Sequence, residues 1–373
     1  MESVLTYLHQ AAEERASDLF LVAGKAVSLK IKGVIRPIRE ERAMPAETES
    51  LVRDLYQLAR RPIDQYLATG DDDFSLSVTG LARFRVSAYR QRGSTAAVIR
   101  VVSFGIPDWR QMEIPEEVMK IAGMARGMVL VTGPAGGGKS TTLAAILDHI
   151  NQTRRKHILT LEDPVEYVYT PAKCVINQRE IGRDTKSFAN GLRAALREDP
   201  DVILVGEMRD LDTIETALTA AETGHLVFGT VHTNSAADSI DRIVDVFPAN
   251  RQQQIRLQLS MTLKAVLSQQ LLPRKSGSGR VLACEVMKTD GAIRNLIREG
   301  KTPQIYNAIQ TTGSVGNILM DKALQNLFNA GEISRDVCES ALRDPAQAKS
   351  WLPPAGGGPG QPPPPPAPNR YKF

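Results

Sequence analysis

The segment that most constrains the fold is VTGPAGGGKSTTLAAIL, residues 131–147. A short apolar run, Met128–Val131, precedes the glycines, and the residues from Thr141 to Ile150 have the composition of a helix. A strand, a glycine-rich loop and a helix in this order form the context in which G-x-x-x-x-G-K-[ST] cradles the phosphates of a nucleotide. The segment therefore predicts an α/β domain that binds a nucleoside triphosphate at the carboxyl ends of its parallel strands.

The residue types of this loop suit phosphate chemistry. Glycines let backbone N–H groups approach phosphate oxygens, and the helix that starts near Lys139 adds its positive end. We expect Lys139 to reach the β- and γ-phosphates of ATP and the Ser140 hydroxyl to ligate Mg²⁺. The predicted nucleotide-binding residues are Gly133, Pro134, Ala135, Gly136, Gly137, Gly138, Lys139, Ser140 and Thr141.

Two further predicted strands end in acidic residues. The run DVILVGE, residues 201–207, ends in Glu207, which could orient the water that attacks the γ-phosphate or could simply be a solvated acid. Gly206 stands where many nucleotide hydrolases place a metal-holding aspartate. In ILTLEDPVEY, residues 158–167, Glu162 is a candidate for catalysis or for holding metal-bound waters, whereas Glu166 could merely flank the turn at Pro164.

Two histidines and two arginines complete the set of candidates. His225 precedes and His232 follows the predicted strand Leu226–Val231, and a histidine at the carboxyl end of a strand can sense a γ-phosphate. Arg85 and Arg100 lie on strand-like runs of the N-terminal part. They could form a solvated face, or supply guanidinium charge to a neighbouring subunit's phosphates.

The chain divides into five predicted regions. Residues 1–105 mix strand-like runs with a helix-like segment and predict a small α+β domain. Residues 106–115 form a linker, residues 116–272 the ATPase core, and residues 273–349 a strand and helical region. Within these parts, residues 248–272 predict one long helix and residues 290–343 several short ones. Residues 350–373 are rich in proline and glycine and predict a disordered tail.

Composition limits the classes of protein. The formal net charge of +4 over 373 residues is mild, and aromatic residues make up 5%, which disfavours a nucleic-acid-binding surface. The sequence has no apolar run of the ~18 residues that a membrane helix needs, and its acidic N-terminus is unlike a secretory signal. Three scattered cysteines argue against a disulfide framework or a structural zinc site and favour a reducing cytosol.

Four stretches together are more specific than the phosphate loop alone. They are GPAGGGKSTTLAA, LTLEDPVEY, AIRNLIREG and the long run LREDPDVILVGEMRDLDTIETALTAAETGHLVFGTVHTNSAADSIDRIVDVFP. The chain up to about residue 345 resembles the type IV pilus and type II secretion ATPases, whose Walker A, Asp-box, Walker B and His-box motifs these stretches match. Phe20 departs from that family, in which an early S-D-L-H pattern carries histidine.

The resemblance implies a fold, a set of site residues and partners. It implies a PAS-like N-terminal domain and a RecA-like P-loop ATPase domain with C-terminal helices, with nucleotide between the two domains. Glu207 would be the catalytic glutamate, Glu162 the Asp-box acid, His225 and His232 the His-box residues, and Arg85 and Arg100 arginines that face nucleotide. The implied protein is a cytoplasmic homohexamer at the inner-membrane base of a pilus machine. Its implied partners are a PilC-like platform protein and an accessory PilU-like paralogue, without nucleic acid.

Other functions remain open at this stage. A RecA-like ring that acts on nucleic acid would show hydrolysis stimulated by nucleic acid, and a regulatory ring would bind nucleotide without turnover. Intact Lys139, Ser140 and Glu207 argue against the regulatory ring. Within the family, AIRNLIREG at 292–300 and the absence of a four-cysteine element favour retraction of pili over assembly. Its apolar residues predict a buried helix edge with Arg294, Arg298 and Glu299 facing outward.

Overall fold

A computed structural model describes residues 3–102, 105–313, 316–343 and 352. The predicted disordered tail therefore lies outside the described residues, apart from Leu352. In the described part the chain forms two sheets, an N-terminal one of six strands and a second one of seven. This is the α/β architecture expected from the sequence.

The N-terminal sheet is antiparallel, with the strand order β3-β2-β1-β6-β5-β4. Aliphatic and aromatic side chains of its inner face pack under three helices and form one core. The strands are β1 (Asp18–Val22), β2 (Ala26–Ile31), β3 (Val34–Arg42), β4 (Asp71–Val78), β5 (Ala82–Gln91) and β6 (Ser94–Val102), and the helices are α1 (Val4–Glu13), α2 (Pro45–Ala59) and α3 (Asp64–Thr69).

The second sheet has the strand order β13-β12-β7-β11-β10-β8-β9. Six of its strands are parallel and β13 is an antiparallel edge strand. β7, β10 and β11 are buried at every residue because helices cover both faces of the sheet. The strands are β7 (Gly127–Thr132), β8 (His157–Glu162), β9 (Val175–Glu180), β10 (Val202–Val205), β11 (Leu226–Val231), β12 (Leu263–Pro273) and β13 (Arg280–Lys288).

Helices lie on both sides of this sheet and beyond its edge. Several begin at a serine or aspartate whose side chain accepts a backbone N–H of the first turn, which satisfies a donor that the helix itself cannot. The helices are α4 (Glu116–Met119), α5 (Lys139–Thr153), α6 (Phe188–Ala195), α7 (Leu211–Glu222), α8 (Ala236–Asp245), α9 (Ala249–Thr262), α10 (Gly291–Arg298), α11 (Ile305–Thr311), α12 (Met320–Asn329) and α13 (Arg335–Ala341).

The long helix predicted over residues 248–272 is wrong. Helix α9 ends at Thr262, and β12 starts at the next residue and pairs with β7 on one side and β13 on the other. The central sheet therefore continues past residue 272, where the predicted ATPase core ended. The apolar run in this segment fits a helix or a buried strand equally well. It forms a strand because it pairs with β7 on one side and with β13 on the other.

The three cysteines of the sequence are free and buried. Burial raises the pKa of the Cys174 and Cys338 thiols, and it raises the pKa of Cys284 to about 12. Within the described residues, none of the helices combines the length and the apolar character needed to cross a membrane.

Candidate active site

The phosphate loop occupies the carboxyl end of β7 and leads into α5. Gly138 caps α5 in the left-handed region, with φ +85°, a conformation that glycine adopts without strain. A Cβ at Gly133 would lie 2.2 Å from the Gln269 carbonyl oxygen, so β12 leaves no room for any other residue there. The Gln269 amide also donates to the Gly137 carbonyl oxygen at 2.8 Å. The loop is thus braced against β12.

The loop forms one wall of a cleft of about 470 Å³. Most of the sequence-predicted nucleotide-binding residues line it, namely Ala135, Gly136, Gly137, Gly138, Lys139, Ser140 and Thr141. The Lys139 Nζ donates to the carbonyl oxygens of Gly133 and Pro134 at 2.8 and 2.9 Å. Burial lowers the pKa of Lys139, while the charges of Glu207 and Glu166 oppose that effect.

Glu207 faces this cleft from the residue two beyond β10, together with His232 from the end of β11. The His232 Nε2 lies 3.1 Å from the Glu207 Oε1, and the Arg209 Nε also donates to this carboxylate. β10 and β11 are parallel neighbours in register, so their carboxyl ends meet at one edge of the sheet. The sequence predicted both residues separately, and the fold brings them together.

Glu162 lines the same cleft from the end of β8 and is buried. Its Oε1 accepts hydrogen bonds from the Thr160 hydroxyl at 2.6 Å and from the Gln178 amide at 3.2 Å. Burial raises the pKa of this carboxyl, although both hydrogen bonds act in the other direction. The burial of Glu162 therefore disfavours its charged form, and acids with a pKa shifted in this way are frequent at functional sites.

The structure gives a physical reason for Gly206. A Cβ at this position would lie 2.9 Å from the Leu161 carbonyl oxygen and 3.3 Å from the Glu162 Cα. β8 therefore passes too close to β10 for an aspartate side chain at residue 206. The carboxylates that line the cleft belong to Glu162, Asp163, Glu166 and Glu207 instead.

Three predicted site residues lie away from this cleft. His225 lies at the amino end of β11, opposite to His232, and its Nδ1 is 2.9 Å from the Ala220 carbonyl oxygen. A contact of His225 with nucleotide in this chain's own cleft is therefore not favoured by its position. Arg85 and Arg100 sit directly opposite each other on β5 and β6 of the N-terminal sheet, and Arg100 pairs with Asp18 at 3.2 Å.

Other residues of the cleft were missed from the sequence. Tyr167 lines the cleft, and its hydroxyl lies 2.9 Å from the Thr141 Oγ1. Arg280, the first residue of β13, also lines the cleft, and its Nη1 lies 3.5 Å from the Gly136 carbonyl oxygen of the phosphate loop. Tyr167 is the residue after Glu166 and could have been found from that position. Arg280 carries no local signal, because only the pairing of β13 with β12 brings it to the loop.

The donor set of the cleft fits Mg²⁺ with ATP. The Ser140 hydroxyl and the carboxylates of Glu162 and Glu207 are hard oxygen ligands of the kind that Mg²⁺ prefers, directly or through water. When bound, Mg²⁺ would neutralise charge on the β- and γ-phosphate oxygens. The loop backbone and Lys139 offer N–H donors and a positive charge to the same phosphates.

Comparisons with known proteins identify the family of the chain. The model of the family described as Type II/IV secretion system protein matches residues 2–311. A Pseudomonas aeruginosa protein named Type IV pilus retractation ATPase PilT is 48% identical over 336 residues, which are 90% of this chain and 96% of that protein. A Neisseria gonorrhoeae protein named Twitching motility protein is 46% identical over 332 residues, 89% of this chain and 88% of that protein.

Two further similarities are to another pilus ATPase and to a solved structure. A protein of Pseudomonas aeruginosa named Type IV pilus ATPase PilU is 36% identical over 327 residues, 88% of this chain and 85% of that protein. The crystal structure of the pilus retraction motor PilT with bound ADP has a TM-score of 0.86 at 46% identity. The match covers 94% of this chain and 100% of the chain in that crystal structure. By its sequence and its two-sheet architecture, the chain belongs to the Type II/IV secretion system protein family.

Proposed function

We propose that this chain is an ATPase motor that hydrolyses ATP to power type IV pilus retraction and twitching motility. The observation that carries the proposal is the arrangement of Glu207 and His232. The two side chains meet 3.1 Å apart at the carboxyl ends of adjacent strands, and both line the cleft that holds Lys139 and Ser140. A carboxylate aimed into a phosphate-binding cleft and held by an imidazole suits the positioning of a water molecule for attack on a γ-phosphate.

The chemistry follows from the roles of these side chains. The backbone of the phosphate loop and Lys139 would hold the triphosphate, so that its terminal phosphate points toward Glu207. Glu207 would accept a hydrogen bond from the attacking water and take its proton as the water oxygen bonds to the γ-phosphorus, while the bond from the γ-phosphorus to the bridging oxygen breaks and that oxygen leaves with ADP. His232 would keep the carboxylate in the orientation that this step needs, and the products would be ADP and inorganic phosphate.

We further propose that the working unit is a homohexamer in which Arg85 and Arg100 act on the nucleotide of a neighbouring subunit. Both side chains are exposed, and they lie directly opposite each other on β5 and β6. Like charges in such a pair destabilise a sheet, and the Asp18 carboxylate beside Arg100 neutralises one of the two charges. An anionic ligand from outside would offset the remaining positive charge, and a triphosphate is such a ligand.

The proposed partners are a PilC-like platform protein at the cytoplasmic face of the inner membrane and a PilU-like paralogue. Helix α10, which contains most of AIRNLIREG, is the proposed coupling surface. Ile293 and Ile297 are buried against α9, while Arg294, Arg298 and Glu299 are exposed, as the sequence pattern predicted. Ala292 is exposed, contrary to the prediction that it belongs to the buried edge.

Deletion of the gene tests the direction of the motor. Cells that lack the protein should carry more surface pili than the parent and should not twitch, since assembly continues without withdrawal. Expression of the Glu207→Gln variant in these cells should leave both traits unchanged. Null cells without pili would contradict retraction and indicate an assembly motor, and hydrolysis stimulated severalfold by nucleic acid would favour a translocase.

A further inference from the structure

Glu180 is a buried acid of the ATPase domain that contacts the N-terminal domain. It is the last residue of the edge strand β9, and only 5% of its surface is exposed. Its carboxylate accepts hydrogen bonds from the Ser75 hydroxyl of β4 and from the Arg83 guanidinium of β5. Arg83 also donates to the Ser75 hydroxyl at 2.7 Å. The three side chains form one polar cluster across the two domains.

The same carboxylate contacts the loop that follows β8. The Glu180 Oε2 accepts the backbone N–H of Val165 at 3.0 Å. Val165 lies between Pro164 and Glu166, and both of these residues line the nucleotide cleft. Because Val165 is tied to Glu180, the geometry of this cleft-lining loop depends on where the Glu180 carboxylate is held.

The backbone at Glu180 also pairs with the strand that carries Glu162. Glu162 and Glu180 are partners in the register of β8 and β9, and the Ile181 N–H donates to the Glu162 carbonyl oxygen at 2.9 Å. A second link, from the Arg183 guanidinium to the Ser75 carbonyl oxygen at 3.1 Å, holds the same edge of the N-terminal sheet. The cluster therefore lies one strand away from the acid that lines the cleft.

The electrostatics indicate that Glu180 is ionised. Burial opposes its charge, but the hydrogen bonds from Ser75 and Val165 and the charge of Arg83 lower its pKa below the ordinary value. A buried carboxylate is held in place by its donors, because the loss of one donor leaves a charge without compensation. Displacement of the N-terminal sheet would remove Ser75 and Arg83 from it at once.

We propose that Glu180 is a positioning residue for ATP hydrolysis, which couples the docking of the N-terminal domain to the loop of Asp163, Pro164 and Glu166. This inference rests on the proposed ATPase function. When Ser75 and Arg83 contact Glu180, the loop is held in its cleft-lining position. When the N-terminal sheet moves away, the loop loses its anchor and the cleft loses its geometry for hydrolysis.

The test compares the full-length variants Glu180→Gln and Arg83→Gln with the wild type. A small displacement of catalytic groups is enough to cost about 10–100-fold in rate, so we expect kcat to fall by this factor. The KM for ATP should stay within about threefold, because the phosphate loop and Lys139 are untouched. The two changes combined should cost less than the product of the single effects, since they break one interaction.

The matched control is Glu47→Gln. Glu47 forms a two-pronged ion pair with Arg39 that lies within the N-terminal domain and is more exposed than the pair of Arg83 and Glu180. This variant should leave kcat unchanged. An equal fall of kcat in Glu47→Gln, at an equal loss of thermal stability, would reduce the role of Glu180 to folding stability and overturn the proposal. A kcat of Glu180→Gln within twofold of the wild type would also overturn the proposal.

Hydrogen exchange gives a second readout that does not require catalysis. In the nucleotide-free chain, the Val165 amide should exchange at least tenfold faster in Glu180→Gln and Arg83→Gln than in the wild type or in Glu47→Gln. Unchanged exchange would overturn the anchoring of the loop. A wild-type chain without turnover would contradict the proposed ATPase function and the role of Glu180 in hydrolysis, while faster Val165 exchange would still establish the anchor itself.

Discussion

The Nε2 of His232 lies 3.1 Å from the Oε1 of Glu207, and the two residues belong to the ends of adjacent parallel strands. The same carboxylate is held by Arg209 from its own chain segment. Glu207 therefore enters the cleft with a defined orientation, and this arrangement leads to the first two predictions.

Glu207→Gln should lower the turnover of ATP by roughly 10²–10⁴-fold, the usual contribution of a positioned general base. Binding of ATP should be intact, because the phosphate loop and Lys139 are unchanged. Steady-state phosphate release and the Kd of a fluorescent ATP analogue measure the two effects. Glu215→Gln, which removes a surface ion pair with Arg251, is the control and should leave both unchanged. Turnover within tenfold of the wild type would exclude Glu207 as the base.

His232→Ala should lower kcat about 10–100-fold, since a hydrogen bond to a charged group contributes about 1.5–3 kcal/mol. The affinity for ADP should change little, because ADP lacks the phosphate that faces Glu207. His9→Ala on the exposed side of α1 is the control. Equal losses of ADP affinity and kcat would instead assign His232 to nucleotide binding.

Glu162→Gln should raise the thermal stability of the nucleotide-free protein at pH 8 and lower its hydrolysis rate. Burial raises the pKa of Glu162 above its unfolded value, so the stability that it contributes is present at low pH and is lost as pH rises through the folded pKa. Glutamine removes this loss. The gain in Tm over the wild type should therefore be larger at pH 8 than at pH 5, as measured by calorimetry. A gain that is equal at both pH values, or absent, would contradict the buried charge.

Arg100→Ala should abolish hydrolysis in a ring of identical subunits while each subunit stays folded. If the arginine acts across a subunit boundary, mixing Arg100→Ala with Glu207→Gln subunits should restore part of the activity. Mixed rings can contain one cleft with both groups intact, whereas pure rings cannot. Recovery is measured as phosphate release after the subunits are exchanged. Confirmed mixed rings without activity would count against action in trans.

Arg294→Ala combined with Arg298→Ala should abolish twitching while ATP hydrolysis and ring assembly persist. Both arginines are exposed on α10, so their removal leaves the buried contacts of Ile293 and Ile297 intact. Twitching zones, hydrolysis rates and molecular mass are measured in parallel, with Arg53→Ala on the exposed side of α2 as the control. Normal twitching would exclude the charged face of α10 as the coupling surface.

The order of elements around the cleft was predictable because its strands carry strong local signals. β7, β10 and β11 are short apolar runs, each followed at its carboxyl end by glycine or by polar residues. β3 carries no such signal, because it is an exposed edge strand in which arginine and glutamate outnumber apolar residues. The β12 strand was missed because no glycine or proline separates it from α9.

The candidate site was predictable where one short segment holds both the chemistry and its context, as at Lys139 and Glu207. The roles of Arg280 and Glu180 could not be predicted from the sequence. Each contacts a segment that is distant along the chain, or one that is adjacent only through sheet pairing. Such a contact is a property of the register, which the local pattern of a polar strand like VINQRE does not specify.

The burial of all three cysteines has a practical consequence for measuring movements of the N-terminal sheet with fluorescent labels. Thiols react as thiolates, and a pKa of about 12 for Cys284 leaves almost none of that species at neutral pH. A cysteine introduced on the surface, for example at Ala68 in α3 and at Lys186 ahead of α6, would then react with a maleimide dye far faster than the native thiols. Energy transfer between two such dyes would report the docking of the N-terminal sheet. The native cysteines would not have to be replaced first.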